Sequence, residues 1–213
     1  MKQILFIAIV LLISNNLFSK TDEKAKVILD QVSEKTKNYK SITASFEFIL
    51  ENTEADLKEA NQGNIIIQKE MFKLSISGID IFNDGKSQYT YMKDAAEVSI
   101  SEANTDENEL LNPATIFTIY EHGFTYSYLG EATENGKRVH KIDLTPSEEK
   151  DFSRVILNID SKNLQITEAT MFGTDGNRYI IRIKNMDTSK VYPNSTFSFD
   201  KSKYPGVSVN DMR

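Results

Sequence analysis

Ser41-Ile42-Thr43-Ala44-Ser45-Phe46-Glu47-Phe48-Ile49-Leu50 decides the fold. Ile42, Ala44, Phe46, Phe48 and Leu50 take every second position, with Thr43, Ser45 and Glu47 between them. A period of two is a strand with one apolar face. The stretch before it has a different period. Between Thr21 and Tyr39, the residues Ala25, Ile28, Leu29, Val32 and Tyr39 recur at helical spacing among lysines and glutamates. That segment is expected to be an amphipathic helix, capped at Thr21 or Asp22, with Glu23 in its first turn.

After Leu50 the period of two continues. Polar residues Glu51–Asn61 read as a return, and Asn64–Lys69 as a second strand carrying Ile65 and Ile67 on one face. Phe72, Leu74 and Ile76 alternate in a third. Asn83-Asp84-Gly85-Lys86 is a hairpin turn between Ile79–Phe82 and Ser87–Met92. Asn135-Gly136 joins Phe124–Ala132 to Arg138–Leu144, and Ser161-Lys162-Asn163 joins Arg154–Asp160 to Leu164–Phe172. Asp175-Gly176-Asn177 leads into Arg178–Met186. Hairpin-linked strands make an antiparallel sheet, here of about ten or eleven strands. Glu102–Glu109 is acidic and reads as an exposed loop. Pro113–Tyr120 suits a short helix, and its Ile116, Phe117, Ile119 and Tyr120 are too apolar to face water. Both helical segments need a surface to cover, and the concave face of a curved sheet is the simplest one.

The N-terminus reads as an export signal. Lys2 precedes the unbroken apolar run Ile4–Ile13, and Ser14-Asn15-Asn16 ends it. Such a run is short of the roughly 20 residues that span a bilayer. A signal peptide over residues 1–19, cut near Ser19, is expected, with a retained membrane anchor as the alternative. Residues 20–213 then form a single domain. The chain carries a net charge of −6. That balance argues against nucleic acid and against docking on anionic lipid. There is no cysteine. This excludes thiol catalysis, cysteine metal sites and lipid attachment through a cysteine.

Motifs of catalysis are missing. The two histidines, His122 and His140, have no metal-ligand spacing and read as surface or turn residues. No Gly-rich phosphate loop or G-x-S-x-G elbow occurs. Carboxylates such as Asp106-Glu107 and Glu148-Glu149 lie in loops, where a glycosidase pair would have to be assembled in space. The distinctive residues are apolar: Phe46, Phe48, Phe72, Tyr89, Tyr91, Phe117 and Tyr126. They make either an ordinary core or the lining of a ligand cavity, and composition does not choose between the two.

Thr43-Ala44-Ser45-Phe46, Gln62-Gly63 and Asp84-Gly85-Lys86 leading to Tyr89 and Tyr91 occur in that order. They are followed by Phe197-Ser198-Phe199-Asp200 and Pro205-Gly206-Val207-Ser208-Val209-Asn210-Asp211. In order, spacing and extent this resembles the LolA family of periplasmic lipoprotein carriers. The resemblance implies a half-closed antiparallel β-barrel with an α-helical lid, made here by Thr21–Tyr39 and Pro113–Tyr120. It implies acyl chains bound in the hollow against Phe46, Phe48, Ile65, Ile67, Phe72, Leu74, Ile76, Tyr89 and Tyr91, with Ile116 and Phe117 from the lid. It also implies a periplasmic monomer without cofactor or enzymatic step. Its partners would be lipoprotein acyl chains, an inner-membrane lipoprotein-releasing ABC transporter and an outer-membrane receptor. Family members carry a latch arginine near the end of the second strand, followed by a proline. Lys69 and Glu70 stand there in this chain, and a lysine lacks the planar fork of arginine. Two relatives in function stay open: a lipid or lipoprotein sensor on the same fold, and a glycan-active enzyme of the envelope. An anchored receptor of this fold would need a cysteine after the signal run.

Overall fold

The computed structural model describes residues 17–103, 115–121 and 123–213. Helix α1 spans Leu17–Lys37. The strands are β1 (Ile42–Asn52), β2 (Leu57–Gln68), β3 (Met71–Ile76), β4 (Ile79–Asn83), β5 (Ser87–Met92) and β6 (Glu97–Glu102). After them come β7 (Phe124–Glu134), β8 (Lys137–Pro146), β9 (Phe152–Asp160), β10 (Ile166–Gly173), β11 (Arg178–Asp187) and β12 (Ser208–Asp211). All belong to one twelve-stranded sheet in the order β12-β6-β5-β4-β3-β2-β1-β11-β10-β9-β8-β7. Every pairing is antiparallel except β12 on β6. The ends of the sheet, β12 and β7, do not pair with each other. It is therefore a half-open barrel, as the family resemblance implied, and it is antiparallel as the hairpin rhythm required.

Several boundaries differ from expectation. The backbone is already helical at Leu17, so Thr21 and Asp22 lie inside α1 and do not cap it. The return between the first two strands is short: β1 runs to Asn52 and β2 starts at Leu57, with Leu57 opposite Asn52. Strands β6 and β12 add to those read from the turns. The segment expected as a short helix contains two 3-10 turns, Thr115–Phe117 and Ile119–Glu121. Pro113, His122, the N-terminal run up to Asn16 and most of the acidic loop lie outside the described residues.

The two faces of the sheet bury different things. The concave face holds the main core, into which α1 inserts Ala25, Ile28, Leu29 and Val32. The convex face carries a second, smaller set near the C-terminus: Phe82, Val98, Phe197 and Val207 are all buried and all outside the main core. Phe199 lies across Phe82, Tyr89 and Tyr91, with ring centroids 5.9, 6.4 and 5.6 Å away, and stacks on Tyr204 at 4.5 Å. The tail is thus fastened outside the sheet by aromatic packing and by β12.

Elsewhere the convex face is ionic. Glu47 Oε2 takes Lys184 Nζ at 2.8 Å and Arg182 Nη1 at 3.1 Å, while Arg182 Nε donates to Glu168 at 2.7 Å. The hydrogen bond from Lys184 is the main cause that holds the Glu47 carboxyl below its usual range, and Arg182 adds to it. A lowered folded pKa contributes stability that is present above the unfolded value of about 4.3 and is lost as pH falls through the folded value. The melting temperature is therefore expected to hold from neutral pH to about pH 5 and to drop below about pH 4. Glu47→Gln is expected to make that acid limb shallower, measured by thermal melts across pH.

Candidate functional site

The hollow is built from rows of side chains that the strand register stacks on the concave face. Ala44 pairs with Ile65, Ile65 with Leu74, and Leu74 with Ile81. Beside that row, Ile42 pairs with Ile67 and Ile67 with Phe72. In the other direction Phe48 pairs with Ile181, Ile181 with Ala169, Ala169 with Leu157, Leu157 with Ile142, and Ile142 with Tyr128. One alternating apolar position per strand, repeated across the curve, yields a continuous greasy wall.

Gly63 shapes this wall. It pairs with Phe46, and a Cβ on it would sit 2.4 Å from Phe46 Cζ and 2.9 Å from both Cε atoms. The ring of Phe46 lies flat across the bare backbone of β2 and is 1% exposed. The glycine of the Gln62-Gly63 pair is there to admit that ring.

The mouth is filled from within. Ile116, Phe117 and Tyr120 on the 3-10 turns are buried in the same core as Phe46, Phe48, Ile65 and Leu74. Beside these residues lies a cavity of about 20 Å³, lined by Phe48, Ile116, Ile119, Val155, Ala169, Met171, Tyr179 and Ile181. A ligand pocket needs roughly 300 Å³ or more. In this conformation the lid segment itself occupies the space between sheet and helix.

Polar contacts hold the lid to α1. Ser33 Oγ donates to Glu121 Oε1 at 2.6 Å, and Lys37 Nζ lies 3.1 Å from the same oxygen. Tyr120 is buried facing Thr36, with no hydrogen bond of normal geometry from its hydroxyl to a described residue. Burial pushes its phenol well above the usual range.

Of the expected site residues, Phe46, Phe48, Ile65, Ile67, Phe72, Leu74, Ile76, Ile116 and Phe117 are brought together on or against the concave core. Tyr89 and Tyr91 are not. Tyr89 pairs with Phe82 and Tyr91 with Asp80, which places both on the convex face beneath Phe199. Their period of two was correct, but the strand presents them to the other side. Lys69 is no latch in this structure. It occupies the β2–β3 turn at φ 57°, exposed, with no side-chain hydrogen bond or ion pair to a described residue. The lid is tied through Glu121 instead. His140 is half-buried on β8 and not in a turn, its Nδ1 3.1 Å from Tyr128 Oη. No group of three metal-ligating side chains occurs among the described residues. No helix among them is long and apolar enough to cross a membrane. Val155, Ala169, Met171, Tyr179 and Ile181 also face the cavity and were not among the expected residues.

A curved, half-open sheet whose concave face buries a helix and a short apolar segment defines the fold. The sequence model of one family, the outer membrane lipoprotein carrier protein LolA, matches residues 15–175. The chain belongs to that family, whose members are generally binding proteins of the cell envelope rather than enzymes. No curated protein matches the sequence. Among solved structures, an uncharacterized conserved protein from Thermus thermophilus shares the fold at 10% identity and a TM-score of 0.60, over 88% of this chain and 99% of that one. LprF from Mycobacterium bovis is similar at 12% identity and a TM-score of 0.48, over 80% of this chain and 96% of its own. A LolA superfamily protein from Nitrosomonas europaea is similar at 11% and 0.45, over 83% and 98%.

Proposed function

We propose that this protein is a periplasmic carrier that takes up the acyl chains of lipoproteins in the hollow under residues 115–121. It shuttles them from an inner-membrane lipoprotein-releasing ABC transporter to the outer membrane, where a receptor or the membrane itself accepts them. Signal cleavage near Ser19 would free the mature chain. The observation that carries the reading is the lid: buried apolar side chains on a short segment, plugging a wall that is apolar throughout.

Magnitudes favour exchange of plug for cargo. Burial of acyl chain contributes about 0.8 kcal/mol per CH₂, on the order of 12 kcal/mol for sixteen carbons. Ile116 and Phe117 contribute about 1.5–3 kcal/mol each when buried. Displacing them costs about 3–6 kcal/mol and leaves a net of roughly 6–9 kcal/mol, near micromolar affinity for one chain. A carrier whose grip is weakened in this way can release its load.

Phe117→Ala tests the exchange. Removing a buried Phe costs about 3–5 kcal/mol of stability. If Phe117 is a plug, the same change makes the hollow easier to open, and affinity for a fluorescent fatty acid is expected to rise about tenfold. Loss of stability with no gain in affinity would show an ordinary core residue and overturn the proposal.

A further inference from the structure

The sheet ends at β7, and its register shows which backbone groups are left over among the described residues. Ser147 N–H donates to Gly123 O at 2.9 Å, so those two residues form a hydrogen-bonded pair. Phe124 opposite Pro146 is then a non-bonded pair, in keeping with proline's missing N–H. Thr125 and Ser127, opposite Thr145 and Asp143, spend their backbone groups on β8. Phe124, Tyr126 and Tyr128 direct theirs away from the sheet. No described residue bonds to them. Past Tyr128 the register shifts, so the usable edge is Phe124–Tyr128.

Sheet edges are normally blunted by lysine, proline or a covering segment. Strand β7 is 11 residues long and has neither residue. The opposite end of the sheet is treated differently, for there the tail supplies β12. Helix α1 packs beside β7, with Lys24 Nζ 4.0 Å above the Tyr128 ring.

We propose that this edge receives one added strand, the extended polypeptide next to the acylated end of the cargo. The proposal rests on the hollow being the acyl site. Phe124, Tyr126 and Tyr128 pack their side chains against the concave core while their backbone faces outward. The lid ends at Glu121, immediately before this strand. A peptide joined to chains lying in the hollow would therefore meet the edge within a few residues, at about 3.3 Å per residue. Strand addition uses main-chain hydrogen bonds and so tolerates many sequences. Exposed Thr125 and Ser127 on the outer side impose little on a neighbour.

The test is amide-resolved hydrogen exchange by NMR on the full mature chain, with palmitate and with a hexapeptide palmitoylated at its first residue. Both are expected to bind. Only the lipopeptide is expected to slow exchange at Phe124, Tyr126 and Tyr128, while Thr125 and Ser127 are slow throughout. N-methylation of the peptide at alternate residues is expected to weaken binding about three- to tenfold in one register and not in the other. Equal protection by palmitate overturns the proposal. So does protection of these amides in the free monomer, or protection only where the protein dimerises, which would make a second copy the occupant. Palmitate that fails to bind would instead overturn the hollow as the acyl site, whatever the edge does.

Discussion

Leu74→Glu is expected to abolish acyl-chain binding. Leu74 is 4% exposed and stands between Ile65 and Ile81 in the central row of the concave wall. A carboxylate there is either ionised in an apolar setting, at a cost of several kcal/mol, or protonated with a strongly raised pKa. Either way the row no longer offers a methylene chain a continuous surface. The neighbouring control is Lys73→Glu. One residue along a strand changes the face, and Lys73 lies over Phe82 on the convex side, 4.9 Å from its ring. That larger change of charge is expected to leave binding intact. Phe48→Glu covers the case in which Leu74→Glu does not fold, because Phe48 is only half-buried and borders the residual cavity. Fatty-acid displacement titrations and far-UV circular dichroism read both quantities. A folded Leu74→Glu or Phe48→Glu protein that binds normally would show that cargo does not use this wall.

Gly63→Val is expected to destabilise the barrel without adding charge. The new Cβ would overlap the Phe46 ring, which has nowhere to go within a wall that is already full. Overpacking of this kind costs about 1–3 kcal/mol. For a domain of this size each kcal/mol lowers the melting temperature by about 2–4 °C. The ring would be driven toward the lid, so the closed form suffers before the sheet does. Phe46→Leu introduced into the Gly63→Val protein is expected to recover part of the loss. Absence of any recovery would mean that Gly63 matters for the strand itself and not for the ring.

The hairpin turns were legible because their chemistry is local. Asn83 Oδ1 accepts from Gly85 N at 2.9 Å, and Asp84 Oδ1 accepts from Ser87 N at 2.8 Å, bonds that the residues of the turn determine among themselves. The first half of β2 was hidden for the opposite reason. Leu57–Gln62 is exposed on both faces, so no alternation marks it, and only the register with β1 makes it a strand. Tyr89 and Tyr91 show a subtler limit. Alternation reveals which residues share a face, but it names the inner face only when the other face is wet. Here a tail that arrives some hundred residues later covers the outside, and apolar character stops being a sign of direction. The same ambiguity concealed Val155 and Ile181, whose neighbours Ile156 and Ile180 are apolar too. The lid was foreseeable because Ile116 and Phe117 on a short segment had to be buried somewhere, whereas its tie through Glu121 depends on where α1 lies.

The aromatic cluster on the outside changes what an empty hollow means for the protein. If the hollow takes cargo as proposed, the contacts made inside it change with its contents. Phe82, Val98, Phe197 and Phe199 lie beyond the reach of that exchange, since none belongs to the main core. They splint β4, β5 and β6 from behind, as a rib holds a hull whether or not there is freight aboard. One flank of the sheet is thus held in its curvature by packing that owes nothing to the concave core.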